Sequence, residues 1–126
     1  MDDQADQLPG FARKLEALGY DAVQKHFIGW ADADDVIREA MKPANRIDGV
    51  LTDLMWKGNP YGAQIASGLQ SMHFNGVIAV QSNELNPDVD HMLKAQNMLG
   101  LFKKGDWDKI DQALKQALQA RDAGIV

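Results

Sequence analysis

The sequence predicts an α/β fold on a parallel sheet, and three observations carry that expectation. Helix-period and strand-like segments alternate along the chain, the pattern of β-α crossover units. The apolar run Ile47–Leu51 and the Val/Ile-rich run Gly76–Gln81 read as buried strands. Thr52-Asp53-Leu54-Met55 then sets a bare carboxylate at the C-terminal tip of the first run, and in open α/β sheets that edge is where ligands bind. A second acidic cluster, Met1-Asp2-Asp3, opens the chain, and Lys103-Lys104 stands at the tip of a late strand. Two acidic points and a lysine at strand tips can hold a metal and a phosphoryl group.

Leu8, Phe11, Leu15 and Leu18 recur at helical spacing, with Pro9 suited to a first turn and Gly19 to the position past the end. Tyr20–Phe27 reads as a strand. Asp32 or Asp34 can cap a helix carrying Val36, Ile37, Ala40 and Met41, which Pro43 ends. Ile47–Leu54 is the clearest strand, and the Trp56–Tyr61 loop leads to a helix with Ile65, Leu69 and Met72 on one face. After the strand Gly76–Gln81, Asn86-Pro87 starts a helix whose apolar side is Val89, Met92 and Leu93. Leu99–Lys103 reads as the last strand, and Asp106 caps a final helix with Ile110, Leu114 and Leu118 spaced by four. The order is α-β-α-β-α-β-α-β-α. A chain that opens on a helix in such a fold is expected to have lost a strand before it.

Composition narrows the classes. A chain of 126 residues makes one domain, 1–126, that can bury a core without staples. Its 45% hydrophobic and 25% charged residues are ordinary globular values. No apolar stretch reaches the roughly 18 residues of a membrane span, and no signal-peptide pattern is present. The absence of cysteine excludes disulfides and thiolate metal sites and fits a cytoplasmic protein. A net charge of −5 with scattered basic residues argues against direct nucleic-acid binding.

Asp2-Asp3-Gln4, Gly49-Val50-Leu51-Thr52-Asp53-Leu54-Met55 and Gly100-Leu101-Phe102-Lys103-Lys104 follow one another with helices between them. With these segments the whole chain resembles the receiver domain of two-component response regulators, a flavodoxin-like three-layer fold with strand order 2-1-3-4-5. The family places an acidic pair after its first strand, a phospho-accepting aspartate after the third, a Ser/Thr after the fourth and a lysine after the fifth. Several positions depart from that pattern. The first strand would lie before Met1, through a late start, trimming or strand exchange between copies. At the Ser/Thr position Gln81 is in register and Ser82 one residue late. Gly105 follows the lysine where proline is usual, Leu101 replaces the aromatic switch residue, and Lys57 replaces a proline after the acceptor loop.

The resemblance implies that Asp53 is the phospho-acceptor, that Mg²⁺ is held by Asp2, Asp3, Asp53 and the Met55 carbonyl, and that Lys104 pairs with the phosphoryl group. Ser82, or Gln81 through its amide, would donate a hydrogen bond to it. Implied partners are a histidine kinase or phosphotransfer protein and a downstream protein or second copy. The latter would be met on a face formed by Asp88–Ala95, Leu99–Lys104 and Trp107–Leu118. The only chemistry would be on the chain itself, with no membrane partner. Plain structural roles stand beside each assignment. Asp53 can cap the next segment, Asp2 and Asp3 can be a solvated terminus, Lys104 can be solvated or exchange roles with Lys103, and Gln81 and Ser82 can serve a turn. His26, His73 and His91 lack metal-ligand spacing, and Trp30 and Trp107 read as packing residues, while Trp56 would either flank the site or serve packing in the core or at the surface. A phosphorylation-independent pseudo-receiver is the second reading. A small flavodoxin-like enzyme or nucleotide binder is a third, disfavoured because no Gly-rich phosphate loop is visible.

Overall fold

A computed structural model of the chain describes residues 7–22, 33–54 and 61–122. Within them the order is α1 (Leu8–Ala17), α2 (Ala33–Met41), a 3-10 turn at Pro43–Asn45, β1 (Gly49–Asp53), α3 (Tyr61–Ser71), β2 (Val77–Ser82), α4 (Pro87–Ala95), β3 (Leu101–Lys103) and α5 (Trp107–Asp122). The strands make one parallel sheet in the order β1-β2-β3, with α3 and α4 as the crossovers that parallel pairing requires.

Side-chain alternation splits the core across the sheet. Val50, Ile78, Val80 and Leu101 join Val36 of α2, Ile65 and Leu69 of α3 and Leu93 of α4 on one face. Leu51, Val77, Ala79 and Phe102 meet Ile110, Leu114 and Trp107 of α5 on the other, where Tyr20 also packs. Both faces are covered, which is why the strands carry unbroken apolar runs.

Local chemistry sets the helix ends. The Asn86 side-chain oxygen accepts hydrogen bonds from the Asp88 and Val89 N–H groups at 3.0 and 3.3 Å, satisfying two donors that a helix start otherwise leaves open. At the end of α1 the Gly19 N–H donates to the Glu16 carbonyl and the Tyr20 N–H to Leu15, with Gly19 left-handed at φ 101°. That paired closure is the Schellman arrangement. His73 and Asn97 close α3 and α4 in the same way, without the glycine that normally advertises it.

Several sequence expectations shift. The strands begin later than their apolar runs, at Gly49, Val77 and Leu101, and β2 extends to Ser82. Asp34 lies inside α2 rather than capping it; Asp32 is outside the described residues. Of the expected strand Tyr20–Phe27, residues 20–22 are not strand and the remainder is outside the described residues. The expected loss of a first strand likewise concerns residues outside them. Met72 falls past the end of α3 and is 58% exposed. Met92 is also exposed, leaving Leu93 and Val89 to anchor α4.

Long-range polar contacts hold the layers together. The Tyr20 hydroxyl donates to Asp111 Oδ1 at 2.8 Å, tying the tail of α1 to α5. Burial and that bond push the Tyr20 phenol well above its usual range, and the same bond lowers the Asp111 carboxyl. Asp90 of α4 accepts from the Leu101 N–H at 2.8 Å and pairs with Lys94. Burial opposes its charge, but those two contacts outweigh it and hold the carboxyl below its ordinary 3.8.

Candidate functional site

Three strand tips converge. Asp53 pairs in register with Gln81, and Gln81 with Phe102, so Asp53 and Gln81 stand about 4.8 Å apart across adjacent strands. By alternation both belong to the α5 face of the sheet. Asp53 is 7% exposed and Gln81 1%. Pairing continues past the strand ends: Leu54 N–H donates to the Gln81 carbonyl at 2.8 Å, and Lys104 N–H to the Ser82 carbonyl at 2.7 Å. These backbone bonds bring Lys104 level with Asp53.

The lysine ambiguity is resolved geometrically. Lys104 Nζ lies 3.4 Å from Asp53 Oδ2, and its side chain is 11% exposed, whereas the Lys103 residue is exposed. At 3.4 Å the pair is longer than a tight charge-assisted hydrogen bond of about 2.8 Å. The ammonium also lies over the Phe11 ring, 5.4 Å from its centroid, and Phe11 in turn meets Trp107 at 5.9 Å between centroids.

Gln81 and Ser82 divide the two roles open to them. Ser82 Oγ accepts from the Glu84 N–H at 3.3 Å, a turn contact. Among the described residues Gln81 Oε1 is buried and finds no hydrogen-bond partner, a costly state for a carboxamide unless a ligand or water completes it.

Glycine 62 is a site residue that sequence reasoning missed. A Cβ there would overlap the Asp53 carbonyl oxygen and stand 2.7 Å from its carbonyl carbon and 2.9 Å from Leu54 Cα. The Gly62 N–H donates to the Leu54 carbonyl at 3.1 Å. Absence of a side chain thus lets the start of α3 press on the strand tip. Thr52, fully buried, donates to the Asp53 carbonyl at 3.2 Å. Phe11 and Trp107 were visible only as core-period residues; nothing in their spacing points to Lys104.

Of the oxygen donors expected for a hard cation, Asp53 is described, and Asp2, Asp3 and Met55 lie outside the described residues. Among the described residues no cluster of three or more carboxylate or imidazole groups forms a metal site by itself. Asp53 presents carboxylate oxygens, the donor type a hard divalent cation takes. Trp56, Lys57, Trp30 and His26 are also outside the described residues. His73 and His91 are exposed, and His73 lies between α3 and β2, at the opposite, N-terminal end of that strand. No described helix is long and apolar enough to cross a membrane.

No protein-family model and no curated protein sequence matches the chain. Solved structures do. A response regulator receiver domain protein from Clostridium thermocellum superposes with a TM-score of 0.77 at 15% identity, covering 97% of this chain and 93% of that one. The receiver domain of a modulated diguanylate cyclase from Desulfovibrio desulfuricans G20 gives 0.71 at 20% identity, covering 98% and 93%. A response regulator receiver protein from Sinorhizobium medicae WSM419 gives 0.66 at 23%, covering 95% and 91%. The chain has the flavodoxin-like fold of response-regulator receiver domains.

Proposed function

We propose that the chain is a phospho-accepting receiver domain of a two-component or phosphorelay system, with Asp53 as the acceptor. One observation carries the reading: a buried carboxylate at the C-terminal strand edge faces a mostly buried lysine at 3.4 Å, within a receiver fold. An Asp53 carboxylate oxygen would attack phosphorus and form an O–P bond. The bond from phosphorus to the donor, an imidazole nitrogen of a kinase or phosphotransfer protein, would break, its electron pair leaving with the donor. Lys104 would neutralise the incoming oxygens as a point charge, and the Gln81 carboxamide would turn an N–H toward them. Mg²⁺ would be held by Asp53, Asp2, Asp3 and the Met55 carbonyl, and when bound it offsets the charge of the phosphoryl oxygens.

The output surface in this reading is the face of α4, β3 and α5 in a cytoplasmic setting. A cleft of about 370 Å³ there is lined by Leu85, Leu99, Phe102, Lys103 and Lys109 among others, and Leu85 is 60% exposed. Such an apolar floor with a charged rim suits a protein partner or a second copy. Because Leu101 is buried and has no ring, an aromatic rotamer switch has no counterpart.

The second reading, a pseudo-receiver that binds partners without phosphorylation, is favoured by Gln81 in place of a hydroxyl residue. Intact mass after incubation with Mg²⁺ and acetyl phosphate separates the two, with Asp53→Asn in parallel. A one-phosphate gain absent from Asp53→Asn supports the acceptor. No gain, together with no Mg²⁺-dependent response to beryllofluoride, supports the pseudo-receiver.

A further inference from the structure

We propose that Phe11 is a positioning residue for Lys104, its ring face holding the ammonium against Asp53 where a phosphoryl group would arrive. What Lys104 acts upon rests on the receiver reading; how Lys104 is held does not. A lysine on a flexible four-carbon stem does not fix its own charge in space. The 3.4 Å contact to Asp53 Oδ2 is longer than a tight charge-assisted bond of about 2.8 Å. Phe11 adds a ring face to its surroundings: the centroid is 5.4 Å from Nζ, within the roughly 6 Å over which such a face attracts a cation. A mostly buried ammonium gains more from such a face than a solvated one, because less water competes for it.

The ring is itself held in place. Trp107 at the start of α5 meets it at 5.9 Å and a 55° tilt, an arrangement that aromatic pairs favour. Leu8 and Ala12 bury the same side of α1, and the Tyr20–Asp111 bond fastens the tail of that helix to α5. A line of contacts therefore runs from α5 through Trp107 and Phe11 to Lys104 and Asp53. An aliphatic side chain of similar volume at position 11 would fill the space and lose the attraction. That separates positioning from packing.

The test uses the full chain with Phe11→Leu and Phe11→Tyr, each also made in a Lys104→Gln background. The first readout, in ligand-free protein, is the proton shift of the Lys104 ε-methylene, which a nearby ring face moves upfield. The second is Mg²⁺-dependent beryllofluoride affinity. Phe11→Leu is expected to move the ε-methylene signals downfield and weaken beryllofluoride binding about fivefold. Phe11→Tyr, which keeps the ring, retains both values. In Lys104→Gln the same Phe11→Leu change has no further effect on affinity. Unmoved ε-methylene signals in Phe11→Leu, or an equal loss of affinity with Lys104 already removed, overturns the proposal. If the unaltered protein takes no beryllofluoride, the receiver reading fails, and the ε-methylene shifts still decide whether Phe11 holds Lys104.

Discussion

Replacing Gly62 by alanine tests the packing that presents Asp53. The added Cβ would overlap the Asp53 carbonyl oxygen and lie 2.7 Å from its carbonyl carbon and 2.9 Å from Leu54 Cα. All three neighbours are backbone atoms, so no rotamer change relieves the conflict. Clearing the carbonyl carbon alone to the 3.4 Å of ordinary contact needs a shift of roughly 0.7 Å, and the oxygen demands more. Overpacking of this kind costs about 1–3 kcal/mol. The movement also strains the Gly62 N–H bond to the Leu54 carbonyl, adding about 1 kcal/mol. The sum is about 3 kcal/mol, or roughly a 10 °C fall in Tm for a chain of this length. Gly68→Ala is the control, because its Cβ meets only the Ile37 side chain, with the terminal methyl at 2.8 Å. That methyl can turn away, and alanine inside a helix gains up to about 1 kcal/mol over glycine. Urea and thermal unfolding should therefore show Gly68→Ala near or above the unaltered protein and Gly62→Ala far below it. Equal midpoints for the two variants would refute the argument that the strand tip needs a bare backbone at position 62.

Three further outcomes follow from the contacts described. Asn86→Ala removes the side-chain acceptor at the start of α4 and should cost about 1 kcal/mol in urea unfolding, with Asn86→Asp close to the unaltered protein. Asp90 has a folded pKa below its usual 3.8, so its stabilisation is fully present above that value and fades as pH falls through the lower folded one. The stability gap between the unaltered protein and Asp90→Asn should be constant above about pH 5 and narrow below about pH 4. Tyr20 shows the opposite sign: its folded pKa lies above the ordinary 10.0, so its contribution is present below pH 10 and lost at higher pH. Tyr20→Phe should cost about 1 kcal/mol at neutral pH, and a gap that did not narrow under alkaline conditions would contradict the bond to Asp111.

Asp53 shows how far a sequence reading reaches. An apolar run ending in a carboxylate needs only strand periodicity and the rule that ligands gather at C-terminal strand edges, and both are local. The capping of α4 by Asn86 and the closure of α1 by Gly19 are local too, so they were legible. Helix faces were read less well: Met72 and Met92 fit the helical period yet stand exposed. The period defines a stripe without saying where the neighbouring element stops covering it. The closures at His73 and Asn97 carried no sequence mark, because non-glycine residues adopted the left-handed turn that packing imposed.

By itself the sequence determined the alternation of helix and strand, the parallel sheet, and a polar C-terminal edge bearing Asp53, Gln81 and a lysine. Those features follow from periodicity and capping over a few neighbouring residues. Only the tertiary structure decided that Lys104 rather than Lys103 faces Asp53, that Phe11 and Trp107 stand behind that lysine, that Gln81 keeps a buried oxygen with no partner among the described residues, and that Gly62 presses on the strand tip. Each depends on how far one element slides and turns against another distant in the chain. That is fixed by close packing of the whole core and has no signature in a local pattern.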